Sequence, residues 1–181
     1  MTALKKTKSS IAPGDVGGPV GLSREAQQIL DRFRLEEVAS HLLRRAHFIA
    51  EDIFSKEFAS ESLTPRQKAA LVVVAQNPGL KQSALADQLH MDRNTIAEMI
   101  KRLCANEMLV RIAAEDDQRA YRLYIAKNGV EVLNRVLPRD SGVEKLLLER
   151  LPEEYRALFV KCLKLIADSQ NDLAASNRNE E

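Results

Sequence analysis

The sequence predicts a mainly α-helical fold that carries one small β-hairpin. Three observations point to it. Apolar residues recur at helical spacing in several separate segments, and helix-starting and helix-stopping residues punctuate those segments. Strand-like alternation is confined to one short region, Leu109-Val110-Arg111-Ile112 and Tyr121-Arg122-Leu123-Tyr124-Ile125, whose connection carries the acidic run Glu115-Asp116-Asp117 and then Arg119.

Taken in order, residues 1–22 are rich in Pro and Gly after a basic start and have no period, so they are expected to form a flexible tail. Ser23 is a suitable N-cap for a short helix from Arg24. A long helix is expected from Leu35 to Ala59, with Leu35, Val38, Leu42, Ile49, Ile53 and Phe54 on its apolar side. Leu63-Thr64-Pro65 starts the next, since Thr64 can cap and Pro65 fits a first turn. It runs through Gln76, and Asn77-Pro78-Gly79 ends it. Gln82 to Leu89 is a short helix with Leu85, Ala86 and Leu89 inward, and His90-Met91-Asp92 is a tight turn. Asp92 can cap a helix from Arg93 to Asn106 whose apolar stripe is Ile96, Ile100 and Leu103. After the hairpin, Ala126 to Arg150 is expected to be helical, bent or broken at Pro138 and Gly142, and Pro152 starts a last helix through Ala174.

Two helices joined by a tight turn and followed by a hairpin form the plan of a winged helix-turn-helix, which reads DNA. The second helix turns Arg93, Asn94, Thr95, Glu98, Lys101 and Arg102 away from its apolar stripe. Any solvated helix has such a face; here the preceding turn and the following hairpin give it a purpose. Arg93, Asn94 and Thr95 lie at the helix start, where base edges are read, and Glu98 can accept from cytosine. Lys101 and Arg102 suit phosphates, Gln82 and Ser83 open the supporting helix, and an arginine at the hairpin tip can reach the backbone or minor groove.

Bulk composition allows this reading. The 181 residues carry 27 Lys or Arg against 26 Asp or Glu, a net charge of +1. From Pro65 to Lys127 there are ten basic and seven acidic residues, whereas from Asn128 to Glu181 there are eight and ten, so the basic excess sits in the candidate DNA lobe. No apolar run approaches the roughly 20 residues a membrane helix needs, and no apolar signal core follows the basic start. The two cysteines, Cys104 and Cys162, lack CxxC spacing, so a reducing cytoplasm is the expected home.

The chain resembles the MarR family of bacterial transcription regulators. The resemblance rests on Leu63-Thr64-Pro65-Arg66-Gln67, Asn77-Pro78-Gly79-Leu80-Lys81-Gln82, Leu85-Ala86, Met91-Asp92-Arg93-Asn94-Thr95-Ile96, Leu103, Leu109-Val110-Arg111, Asp117-Gln118-Arg119-Ala120 and Lys127-Asn128-Gly129. It covers about residues 35–135. It implies a homodimer built from the N- and C-terminal helices, with each recognition helix in the major groove of a palindromic operator and successive grooves about 34 Å apart. It implies that Asp117 holds Arg119 and that Arg119 enters the minor groove. It also implies repression relieved by a small aromatic ligand. The expected organisation is a tail over 1–22, dimerisation helices over 23–62, a DNA-binding domain over 63–127 and further dimerisation helices over 128–181. Three positions depart from the family pattern: Glu107 replaces the usual Gly, with Asn106 expected to supply the left-handed residue instead; Ala126 replaces a capping Thr; Ala114 replaces a frequent acidic residue.

The expected effector cluster is His41, Arg44, Arg45, His47 and Phe48, charged and aromatic residues in the middle of an amphipathic helix. Its plain reading is a solvated or dimer-rim face. Its functional reading is an anion site beside rings, suited to an aromatic carboxylate or its coenzyme A thioester. No metal site is expected, because His41 and His47 do not share one helix face at ligand spacing. No cofactor is expected, and no phosphate loop, nucleophile elbow or paired carboxylates indicate an enzyme. Two alternatives stand beside the ligand-controlled regulator: redox control through Cys104, and a winged-helix protein-interaction module without DNA binding.

Overall fold

The structure, a computed structural model, describes residues 21–113 and 121–176, with side chains described through 168. The chain separates into two compact units, Met1–Arg44 and Arg45–Glu181.

In the first unit, α1 spans Arg24–Arg32, and Ser23 caps it by accepting the Ala26 N–H at 3.1 Å. The expected long helix from Leu35 is corrected here. Leu35–Glu37 is one 3-10 turn, Val38 is extended (φ −79°, ψ 113°), and α2 begins at Ala39 and runs to Glu57. The break has a local cause. The Val38 N–H closes the 3-10 turn on Leu35, while the Val38 carbonyl accepts the first bond of α2, from Leu42 at 2.9 Å.

The second unit contains the rest of α2, then α3 (Pro65–Gln76), β1 (Leu80–Lys81), α4 (Gln82–Gln88), α5 (Arg93–Ala105), β2 (Leu109–Ala113), β3 (Tyr121–Ile125), α6 (Lys127–Leu148) and α7 (Glu153–Ser176). α3 starts with a full capping box: Thr64 accepts the Gln67 N–H at 3.2 Å and the Gln67 side chain accepts the Thr64 N–H at 3.0 Å. The three strands form an antiparallel sheet in the order β1-β3-β2, with Leu80 opposite Leu123 and Leu109 opposite Ile125. β1 is only two residues long, and no periodicity announces it.

One apolar core ties these elements together. Phe54, Phe58, Leu71, Val74, Leu85, Ile96, Ile100, Leu103, Leu109, Leu123 and Val136 are all buried within it, and among the described residues no polar residue is buried as a whole. Around its margin, charged groups link the end of α2 to α6. Arg139 lies over the Phe58 ring and donates to Glu57, Arg135 meets Glu61 at 3.0 Å, and Lys68 of α3 meets Asp140. These pairs lie on both sides of Pro138, and Val136 and Val143 are buried before and after it. The expected break at Pro138 and Gly142 is therefore absent: α6 is one helix, with the exposed proline removing one internal hydrogen bond that packing on both flanks offsets.

The two short helices end alike. After α4, the His90 N–H bonds to the Asp87 carbonyl and the Met91 N–H to the Ala86 carbonyl; after α5, Glu107 bonds to Cys104 and Met108 to Leu103. Both are Schellman caps, which place the residue after the C-cap in the left-handed region. His90 (φ 49°) and Glu107 (φ 55°) occupy those positions. Asn106, expected to take that role, is not left-handed (φ −90°, ψ 12°), because the helix ends at Ala105 and makes Asn106 the C-cap itself. A side chain at positive φ costs about 1–2 kcal/mol, part of which glycine returns through its own backbone entropy. Glu107→Gly is therefore expected to stabilise the fold by roughly 0.5–1 kcal/mol, seen as a rise in denaturation midpoint; an unchanged or lower midpoint would contradict this.

Candidate nucleic-acid interface

α5 is built to present one polar face. Its opposite face, Ile96, Met99, Ile100 and Leu103, is buried in the core, which fixes the helix's rotation about its axis. At about 100° per residue, Asn94, Thr95, Glu98, Lys101 and Arg102 fall together on the outer side, and Arg93 lies on its flank. All six are exposed. The side chains of Arg93, Asn94, Glu98, Lys101 and Arg102 make no hydrogen bond or ion pair within the described residues. Thr95 differs: its hydroxyl donates to the Asp92 carboxylate, which also accepts the Thr95 N–H at 2.8 Å. Thr95 thus helps hold the helix start as well as lying on its outer face.

The Thr95 hydroxyl and then the Thr95 backbone hold the Asp92 carboxyl below its ordinary value of 3.8. A depressed folded-state pKa means that this contribution is present above the unfolded value and is lost as pH falls through the folded one. Asp92→Ala is expected to lower the melting temperature at neutral pH, with the difference from wild type shrinking as the solution is acidified below the carboxylate range. An equal difference at both pH values would show that the cap does not depend on the charge.

α4 supports α5 through the His90 cap. At its start Gln82 is half-buried and Ser83 exposed, and Lys81 stands at the N-cap without a capping side-chain bond. Two shallow grooves flank the start of α5. One, of about 440 Å³, runs past Leu89, His90 and Asp92; the other, of about 410 Å³, runs past Asn94, Glu98 and Arg102. Arg66, which sequence reading left outside the site, lines both. No pattern in the sequence marks it, because its nearness to α5 arises only from the packing of α3.

The hairpin continues the core at its base through Leu109 and Leu123 and emerges beyond them. Val110, Ile112 and Tyr121 are exposed, and the Arg111 guanidinium lies 5.1 Å from the Tyr121 ring centre. Arg122 donates to the Gly79 carbonyl at 3.4 Å and so lies across the start of β1. Ala114, Asp117 and Arg119 fall outside the described residues. Ala126 makes no side-chain cap for α6, in keeping with the loss of the family's Thr there.

The other sequence-selected residues lie on α2. His41 is half-buried, and Arg44, Arg45, His47 and Phe48 are exposed. His47 is drawn toward Glu51, with Nε2 3.4 Å from the carboxylate, and its ring centre lies 6.0 Å from that of Phe48. Cys104 is partly buried at the end of α5, and this burial pushes its thiol above the ordinary 9.0 against the opposing pull of Arg111. A raised pKa leaves little thiolate at neutral pH, so the environment works against a redox role for that residue. Among the described residues no group of three or more His, Cys, Asp or Glu is placed to hold a metal, and no helix is long and apolar enough to cross a membrane.

The sequence pattern of the MarR family matches residues 63–121. A candidate transcriptional regulatory protein for the hcr operon of Thauera aromatica is 30% identical over 143 residues, which is 78% of this chain and 86% of that protein. The fold is similar to that of the PcaV transcriptional regulator of Streptomyces coelicolor, solved in complex with its natural ligand (TM-score 0.70, 26% identity, 76% of this chain and 97% of that one). It is also similar to the transcriptional repressor CouR. The form of CouR bound to a 23-mer DNA duplex gives a TM-score of 0.69 at 28% identity, over 74% of this chain and 94% of that one, and CouR is also solved with p-coumaroyl-CoA. Fold and relatives together define a winged helix-turn-helix transcriptional regulator. The chain belongs to the MarR family.

Proposed function

We propose that two copies of this chain form a repressor that grips a palindromic operator and releases it when a small aromatic carboxylate, or its coenzyme A thioester, binds. The observation that carries the DNA half of this reading is the α5 outer face. It is rotationally locked by a buried stripe, capped at its start, and lined with donors and cations that, Thr95 apart, no group among the described residues engages. Asn94 and Thr95, with Arg93 beside them, are assigned to base edges, and Glu98 to accepting from cytosine. Lys101 and Arg102 are assigned to phosphates, Gln82 and Ser83 to the backbone at the start of α4, and Asp117 with Arg119 to the wing. The reading body is the stretch over 63–127.

The dimer is supported by apolar side chains left at the surface. α1 exposes Ile29, Leu30 and Phe33; α7 exposes Tyr155, Leu158 and Leu165. Surfaces of this kind on several helices favour a second copy. The N-terminal helices over 23–62 and the C-terminal helices over 128–181 are assigned to it, in a protein acting in the cytoplasm.

The effector site is assigned to His41, Arg44, Arg45, His47 and Phe48 of α2. The arginines would meet a carboxylate or phosphate, and Phe48 and the histidines an aromatic ring. The ligands named for PcaV and CouR support a ligand of this class. Release then follows from differential affinity: a ligand that favours a dimer whose two α5 helices no longer match successive grooves shifts the population off DNA. A mobility-shift assay on the DNA upstream of the protein's own gene, repeated with a panel of aromatic acids and their thioesters, tests both halves. A shift that one of these compounds reverses, and that Arg44→Ala with Arg45→Ala makes resistant to it, is the expected result. Failure of any compound to release the DNA would reject the effector class.

A further inference from the structure

Arg66 stands on the first turn of α3, directly after Pro65, and is exposed. Its side chain lines both grooves at the start of α5, so it lies beside Asn94 and Thr95 although it belongs to a different helix. In the same unit Lys56, Lys68, Lys127, Arg135 and Arg139 each meet a carboxylate, whereas Arg66 makes no ion pair among the described residues. The grooves it lines hold one further guanidinium, Arg102, with the carboxylates of Asp92 and Glu98; Asp92 is committed to the cap of α5, and neither carboxylate pairs with Arg66. An exposed arginine at the edge of the α5 face that pairs with no carboxylate among the described residues is placed to take an external anion. A guanidinium can engage a phosphate through two parallel N–H donors, an arrangement that fixes direction as well as distance.

We infer that Arg66 is a phosphate anchor that sets how α5 seats in the groove, a role that rests on the DNA-binding reading above and adds a contact from α3. Such a contact carries no sequence information. It strengthens binding to any duplex, and it adds to the salt dependence one released counterion.

The test uses the full chain, a duplex taken from upstream of its own gene and a scrambled duplex of the same composition, titrated across a salt series. Arg66→Ala is expected to weaken binding to both duplexes by a similar factor, on the order of tenfold, and to reduce the slope of log affinity against log salt by about 0.9. Arg66→Lys keeps the charge, so it should keep the slope while recovering only part of the affinity. The melting temperatures of both variants should match wild type, because the side chain is exposed. Wild-type affinity and slope in Arg66→Ala overturn the assignment, and so does a loss confined to the upstream duplex, which would make Arg66 a base reader. Wild-type protein that ignores both duplexes in dilute buffer overturns the DNA-binding reading itself. Wild-type binding with an unchanged variant removes only Arg66.

Discussion

Gly129→Ala is expected to destabilise the protein by about 1–3 kcal/mol, the range for forcing a methyl group into a filled site. The reason is local. A Cβ at this position would lie 2.2 Å from the Met108 carbonyl oxygen and 2.9 Å from the Ile125 side chain. The first contact is with backbone, so no rotamer change relieves it. The Met108 carbonyl also accepts the Ala126 N–H at 3.0 Å, and the Met108 N–H makes one of the two bonds of the Schellman cap of α5. Pushing it away strains the α5 cap, the base of the hairpin and the first turn of α6 together. For a chain of this size each kcal/mol lowers the melting temperature by roughly 2–4 °C, so a thermal melt resolves the effect. A variant that melts with wild type would mean that the start of α6 shifts freely, and that Lys127-Asn128-Gly129 has no packing reason to be there.

Asn94→Ala is expected to weaken binding to the operator by roughly 10- to 100-fold, the range that one well-placed base contact supports, and to leave binding to a scrambled duplex almost unchanged. Asn94 is exposed on the second residue of α5, and its amide has no partner among the described residues, so removing it leaves nothing buried and unsatisfied there. The fold should be unaffected, and the loss should appear only where a base edge was being read. Parallel titrations on the two duplexes check this. Equal losses on both would move Asn94 from base reading to backbone contact. No loss on either would take the start of α5 out of the groove.

Much of the architecture was legible in the sequence because local rules govern it. Thr64-Pro65 with Gln67 announces a capped helix start, Asp92 announces another, and the alternation from Tyr121 to Ile125 announces a strand, all carried by side-chain chemistry within a few residues. The misread elements are those decided by distant contacts or by where a helix starts and stops. Pro138 reads as a break until Arg135, Arg139 and Asp140 of α6 are seen to tie both sides of it to Glu61, Glu57 and Lys68 of neighbouring elements. Val38 reads as part of a long apolar stripe, yet it is the extended residue between a 3-10 turn and α2. Glu107 takes the left-handed position that Asn106 was expected to supply, because the position is set by where α5 stops and not by which residue tolerates it best. The site divides in the same way. The polar face of α5 follows from periodicity, whereas Arg66 joins it only through the packing of α3, and β1 exists only because β3 lies beside it.

The most direct test of the account is the composition of the complex in solution. The full-length chain is mixed at low salt with a duplex from upstream of its own gene, and the mass of the complex is measured by light scattering or sedimentation. Two chains on each duplex, dissociating together as salt is raised, is the result the account predicts. A chain that stays monomeric and leaves the duplex unbound would contradict it.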